Sequence, residues 1–262
     1  MISNRFFKFF YYFLLSFILV ILSFEKAFSW QLTLNNKRNL PNEMGFYEFL
    51  TAKENKKFPI HIDAVLLKKN QYNAALKVQD WHNAETLFNL SQNESAIIAI
   101  NGGFYRENFL PNGLLILNNK RYSRFVSNML LSSIVSIDNN GVLSIFPKEN
   151  LNTAKLTNAF QAGPILYKAN RKLNVFGDKL RERSVIVNFK NGDIGVFYFS
   201  AITLADMSEI LGQISKLWQK TIKTATNLDG GIASSVVVNF KENPVIHLEE
   251  QPVKMAILFK PI

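Results

Sequence analysis

The residues at 227–235, Asn227-Leu228-Asp229-Gly230-Gly231-Ile232-Ala233-Ser234-Ser235, pack one carboxylate, two glycines and two hydroxyls between an amphipathic stretch and a β-branched run. The carboxylate could serve acid–base work or stabilise positive charge. Adjacent glycines permit positive φ and close ligand approach, while free N–H groups and serine hydroxyls can donate to an anion. Taken alone, Asp-Gly is equally compatible with plain turn chemistry in a connection leading into a strand. A second stretch, Ala99-Ile100-Asn101-Gly102-Gly103-Phe104-Tyr105, repeats the arrangement, with a polar residue and a glycine pair directly after an apolar run. Two strands ending in such loops could meet at one sheet edge and form a single pocket.

Three further blocks follow in order: Pro111-Asn112-Gly113-Leu114-Leu115-Ile116, Gln161-Ala162-Gly163-Pro164-Ile165-Leu166 and Arg183-Ser184-Val185-Ile186. With both glycine loops, this series resembles the phosphodiester glycosidase family from about residue 45 to the C-terminus. Two departures accompany the likeness. The family's Asp-Gly-Gly-Gly-Ser-Ser loop carries Ile232-Ala233 between Gly231 and Ser234 here, and the glycine that closes the family's arginine block is Val187.

The resemblance implies cleavage of a sugar C1–O–phosphate linkage, with Asp229, Asn101 and Arg183 as catalytic residues. Gly102, Gly103, Phe104, Gly163, Gly230, Gly231 and Ser234 are then substrate-binding positions, and a phosphorylated glycan or sugar phosphodiester is the partner. A phosphate departs as a weakly basic anion and needs charge stabilisation more than a strong general acid, so one carboxylate can suffice. Asp229 could stabilise an oxocarbenium-like centre, act as nucleophile or orient water, while Arg183 and the glycine-loop N–H groups hold the phosphate. A non-catalytic glycan-binding protein of the cell envelope and a membrane-anchored assembly protein are the competing classes.

Other templates are missing: the chain has no HExxH, P-loop or GxSxG, and His61, His82 and His247 have no metal-ligand spacing. No metal site is assigned and no cofactor is expected. His61 and Asp63 share one face of a strand by its two-residue period, read as a solvated face, and the histidines are read as structural or surface residues.

At the N-terminus, Arg5 and Lys8 precede the apolar run 9–24, and Ala27-Phe28-Ser29 offers small residues where a signal peptidase reads. Residues 1–29 are therefore expected to be a signal peptide cleaved after Ser29, and the protein to be exported, periplasmic or secreted. If the segment stays uncleaved it becomes the one membrane contact. The absence of cysteine excludes disulfides, thiolate metal sites and a lipobox anchor. Net charge is +10, and +8 without the signal, where 27 basic residues face 19 acidic ones. That bias suits an anionic glycan; the basic residues are scattered and no nucleic-acid motif occurs, so nucleic acid is excluded as a partner.

The elements that must position these residues read as follows. Residues 30–44 are a polar, Asn-rich lead-in, and 45–262 form the phosphodiester glycosidase-like domain. Strand-like runs at 46–50, 59–67 and 74–78 precede a short amphipathic helix at 81–90 that leads into the run before Asn101. Asn139-Asn140-Gly141 and Asn191-Gly192 mark two hairpins with expected type I′ turns. Leu204, Met207, Ile210, Leu211, Ile214, Leu217 and Trp218 form a helical stripe, with Thr203 and Asp206 at N-cap spacing. The expected fold is α+β, a single domain with a mixed, largely antiparallel sheet packed by helices.

Overall fold

The computed structural model describes Tyr11 and residues 30–53, 58–175 and 179–262. Apart from Tyr11, the expected signal segment 1–29 lies outside the described residues. Among them the domain is built from three sheets. The largest runs, in spatial order, Gln31–Asn39, Gly45–Ala52, Ile60–Leu67, Ile194–Ile202, Arg181–Phe189, Ile222–Asn227, Ile165–Lys168 and Arg171–Lys172. The second is Lys120–Ser123, Leu115–Leu117, Asn158–Ala162, Ser133–Ile137 and Leu143–Pro147, and the third Val245–His247, Val236–Val238, Ile98–Asn101, Met255–Pro261 and Tyr72–Val78.

Every strand pair among the described residues is antiparallel, so the largely antiparallel expectation holds, while its mixed component and its single sheet give way to three antiparallel sheets. A helix between two strands suggests a parallel crossover. Here the helix Leu204–Leu217 carries the chain from Ile194–Ile202 past Arg181–Phe189 to Ile222–Asn227, so both outer strands pair with the one between them.

The inner faces of all three sheets enclose one core that includes Phe46, Val65, Ile100, Phe160, Ile186, Val236 and Phe259. The opposite face of the largest sheet is covered by Leu204–Leu217, whose Leu204, Met207, Ile210, Leu211 and Ile214 pack on Val185, Val187, Phe197 and Phe199. Each such burial contributes about 1.5–3 kcal/mol. A cap such as Thr203, whose hydroxyl accepts from the Asp206 N–H at 3.1 Å, contributes about 1 kcal/mol. Burial therefore holds the helix and the cap sets where it starts. Helices are a minor part of the fold: the only other α-helix among the described residues, Leu87–Asn93, covers Ala99 and Val237 on the third sheet.

Local departures have local causes. The expected helix at 81–90 is a 3₁₀ turn, Trp81–Asn83, and a separate helix capped by Thr86, because Gln79 bonds the backbone N–H and C=O of Glu85 and holds the chain extended between them. The segment read as a lead-in carries the strand Gln31–Asn39, which zips onto Gly45–Ala52 and leaves most of its polar side chains exposed. Both hairpins form, yet only the glycine of each Asn-Gly turn has positive φ, 73° at Gly141 and 91° at Gly192. Side chains do the rest, Asp138 accepting from the N–H of Asn140 and Val142, and Asn191 from that of Asp193. The face carrying His61 and Asp63 is not solvated as expected: Asp63 is 2 % exposed, because the 245–247 strand of another sheet lies over it.

Candidate functional site

Three strand ends meet at one rim of the molecule, one from each sheet: Asn101 of Ile98–Asn101, Ala162 of Asn158–Ala162 and Asn227 of Ile222–Asn227. The expected convergence of the two glycine loops is present, at a junction between sheets instead of along one sheet edge. Asp229 N–H donates to the Gly102 carbonyl at 3.1 Å, and Asn101 Nδ2 donates to the Asp229 carbonyl at 2.8 Å. The third strand joins through Gly163 N–H to the Asn227 carbonyl at 2.9 Å.

A cleft of about 580 Å³ opens at this junction, lined on one side by Asn227, Asp229 and Gly230, on the next by Lys179, Arg181 and Arg183, and elsewhere by Phe104, Asn112, Leu130 and Gly163. Among the described residues Asp229 is the only carboxylate lining it. Burial raises its pKa to about 7, offset only by the hydrogen bond that Oδ1 accepts from the Gly230 N–H at 2.9 Å. Arg183 is half-buried, with its pKa lowered by burial and by the like charge of Arg181. Its Nη2 donates to the Lys179 carbonyl at 3.3 Å, and its Nε is buried without a partner. Among the described residues no ion pair neutralises Lys179, Arg181, Arg183 or Asp229. The cleft thus presents one desolvated carboxyl group beside an uncompensated positive wall, an arrangement suited to a ligand that carries an anion next to an electron-poor carbon.

Of the residues nominated from sequence, Asp229, Arg183, Phe104, Gly163 and Gly230 line the cleft, while Asn101, Gly102, Gly103, Gly231 and Ser234 lie outside its lining. Asn101 is fully buried and holds both loops: besides its bond to Asp229, its Oδ1 accepts from the Ser235 N–H at 3.1 Å. It positions Asp229 through the backbone. The Gly102 N–H is engaged by the Met255 carbonyl at 2.8 Å. A Cβ on Gly102 would come 2.7 Å from Met255 Cβ, and one on Gly103 2.7 Å from the Phe160 ring, so this pair allows close packing between sheets. Ser234 is buried with its Oγ unpartnered, and Gly231 takes φ 65° to start the 3₁₀ turn Gly231–Ala233 that accommodates the inserted Ile232-Ala233. The Gln161 block has a structural role as well, since Oε1 accepts from the N–H of Leu114 and Val126 and Nε2 donates to the carbonyls of Val126 and Leu131.

Sequence reasoning passed over Lys179, Arg181 and Asn227. The first two are legible in Lys179-Leu180-Arg181-Glu182-Arg183, since period-two spacing on an extended chain puts the three cations on one face. Asn227 uses Nδ2 on the carbonyls of Gly163 at 3.1 Å and Leu228 at 2.5 Å, leaving Oδ1 as a buried acceptor without a partner.

Gly230 offers a direct handle on this geometry. Its φ of −123° is open to any residue, but a Cβ there would lie 3.1 Å from Arg183 Nη1. Gly230→Ala is expected to leave the melting temperature within a few degrees while weakening anion binding in the cleft about tenfold, because only the guanidinium must shift. Titration with a sugar 1-phosphate beside a thermal melt checks both halves.

A family model described as phosphodiester glycosidase matches residues 94–260, a later start than the resemblance beginning near residue 45. No curated protein matches the sequence. Among solved structures, a hypothetical protein from Synechocystis aligns with a TM-score of 0.57 at 13% identity over 89% of this chain and 68% of that one. The catalytic domain of zebrafish N-acetylglucosamine-1-phosphodiester alpha-N-acetylglucosaminidase, auto-inhibited by its pro-peptide, aligns with a TM-score of 0.54 at 13% identity over 88% of this chain and 83% of that one. At these identities the two structures establish a shared fold.

Proposed function

Because the chain belongs to the phosphodiester glycosidase family, we propose that it hydrolyses the bond between a sugar C1 and a phosphate oxygen in a sugar 1-phosphodiester of a glycan or envelope component. The observation that carries this reading is the buried carboxyl group of Asp229 in one cleft with Lys179, Arg181 and Arg183. In the reaction C1–O cleavage places negative charge on the departing phosphate and positive charge on the sugar ring. Arg183 receives the phosphate oxygens, with Arg181 and Lys179 adding positive potential at the mouth. The ionised Asp229 carboxylate stabilises the ring cation and takes a proton from the attacking water, which becomes the new C1 hydroxyl. A carboxyl group titrating near 7 is matched to that proton transfer at neutral pH. The Phe104 ring supplies an apolar wall.

The test is incubation with a panel of sugar 1-phosphodiesters, following release of free reducing sugar. Turnover of at least one member is expected; saturable binding of several with no turnover of any would make the protein a glycan-binding module instead.

Export completes the reading. A basic start, an apolar run and the Ala27-Phe28-Ser29 site support cleavage before Trp30, whose buried indole packs at the edge of the largest sheet. Intact-mass measurement of the exported protein should give a chain beginning at Trp30; a mass that retains residues 1–29 overturns the cleavage.

A further inference from the structure

Away from the cleft, on the face of the largest sheet that meets the third sheet, a cluster of donors remains outside the proposed chemistry. His61 and Asp63 project from the same side of Ile60–Leu67, and His247 comes from the end of Val245–His247. His61 Nε2 lies 2.9 Å from Asp63 Oδ1 and His247 Nε2 lies 2.5 Å from Oδ2, and the donor atoms of all three residues fall within 4.8 Å of one another. We propose that His61, Asp63 and His247 bind a divalent transition-metal ion, zinc by the chemistry of the donors, which clamps the 236–247 hairpin to the largest sheet.

Three observations carry the assignment. Among the described residues the buried carboxylate has no lysine, arginine or backbone N–H partner; the two imidazoles are its hydrogen-bonding neighbours. Its surroundings add negative charge, from Glu48 near His61 and from Glu182 on the Tyr198 hydroxyl, in a chain that is otherwise strongly basic. Such a pocket lacks a fixed cation and gains from a divalent one. The second observation is orientation. The Tyr198 ring stacks on His247 with centroids 3.8 Å apart and planes 9° from parallel, which aims Nε2 at the carboxylate. The third is the donor set itself. Two neutral imidazoles and one carboxylate make a three-ligand zinc site with one position left for water. Tetrahedral zinc at about 2.0–2.1 Å from each donor needs donor separations of about 3.3 Å. The donor atoms lie within 4.8 Å of one another, so the widest gap closes by at most about 1.5 Å, shared between two side chains. The side chains of His61 and His247 are 40% and 25% exposed, so the fourth position opens to solvent and the ion has an entry path.

The clamp acts on the hairpin that follows the 227–235 loop, so its occupancy stiffens the wall behind Asp229 without touching the cleft. The inference does not depend on the reaction proposed there. Chelator-treated, tag-free protein is titrated with zinc chloride by calorimetry, and its melting temperature is followed. One saturable site per chain is expected, with a rise in melting temperature of about 5–10 °C once free zinc reaches a hundredfold excess over Kd. His61→Gln and His247→Gln should each weaken binding by at least about a hundredfold, more than the loss of an outer-shell partner costs. His82→Gln, which removes an exposed histidine outside the cluster, should change nothing. Asp63→Asn is measured beside them, and each variant's melting curve in chelator certifies its fold. Absence of a saturable site in the native protein, or full affinity kept by both His61→Gln and His247→Gln, would overturn the proposal and leave a hydrogen-bonded His–Asp–His cluster.

Discussion

Asp229→Asn is expected to lower kcat on a cleavable sugar 1-phosphodiester by about 10²- to 10⁴-fold, with KM changed no more than about threefold. The amide keeps the size of the carboxyl group and its acceptor for the Gly230 N–H, so the loop should retain its shape. What it loses is the charge that faces C1 and the basicity that receives a proton from water. The same group sets the pH profile of the native enzyme. With the carboxylate as the working form and its pKa near 7, kcat/KM should rise with unit slope from pH 5 and level off above about 7. A profile that instead falls above 7 would make Asp229 a proton donor to the leaving phosphate.

Stability supplies an independent readout of that pKa. A carboxyl group whose folded pKa lies above its unfolded value holds its proton more tightly in the native state. Native protein therefore binds more protons between about pH 4 and pH 7, and its stability falls as pH rises through that window. Asparagine has no proton to lose, so Asp229→Asn should flatten this dependence and melt at a higher temperature than the native protein at pH 8, though both are similar at pH 4. A variant that loses activity and also destabilises the protein at pH 8 would show that the charge supports the fold instead of opposing it.

The extent to which the site was legible follows how far each residue's placement depends on local chain geometry. Asp229 stood out because a strand end followed by a tight glycine loop fixes a side chain's direction within a few residues, whereas Arg183 was nominated by the family resemblance and the net positive charge. The same local logic located the Thr203 cap and both hairpins. It could not show how closely Gly102 and Gly103 pack, since a glycine that admits a ligand and one that admits Met255 or the Phe160 ring read identically in sequence. It also left open that Asn101 and Asp229 come from different sheets. Their contact arises because Ile98–Asn101 lies between Val236–Val238 and Met255–Pro261, a pairing settled by segments more than 130 residues away. The His247–Asp63 contact spans 184 residues and joins two sheets, so no spacing rule applied to His61, His82 and His247 could find it. The largely antiparallel pairing was legible from the two hairpins; the order of strands around the long helix was not, because that helix skips one strand and only the tertiary order records it.

Arg183→Lys is expected to reduce kcat/KM by about ten- to a thousandfold although the charge is kept. The argument starts from geometry. Arg183 runs beneath Gly230 with Nη1 close to the loop backbone, spends one N–H on the Lys179 carbonyl and leaves the remaining fork toward the cleft. A guanidinium can give a phosphate two parallel hydrogen bonds, while a lysine ammonium is a point charge with no such fork. Lysine would also lose the contact with the Lys179 carbonyl and leave the space beside Gly230 partly unfilled. Because burial and Arg181 already press against the Arg183 charge, an arriving phosphate relieves both, and more so as negative charge grows on the leaving oxygen. The loss should accordingly fall on kcat as well as on KM. Arg181→Lys serves as the contrast: Arg181 is exposed, with Nη1 near Gly231 at the mouth, so screening by water limits its contribution and the expected loss is no more than about fivefold. Equal losses in the two variants would mean that the cleft recognises phosphate through its summed positive potential. Native kinetics in Arg183→Lys would remove the guanidinium from the reaction altogether and shift phosphate recognition to the backbone of the 229–231 loop.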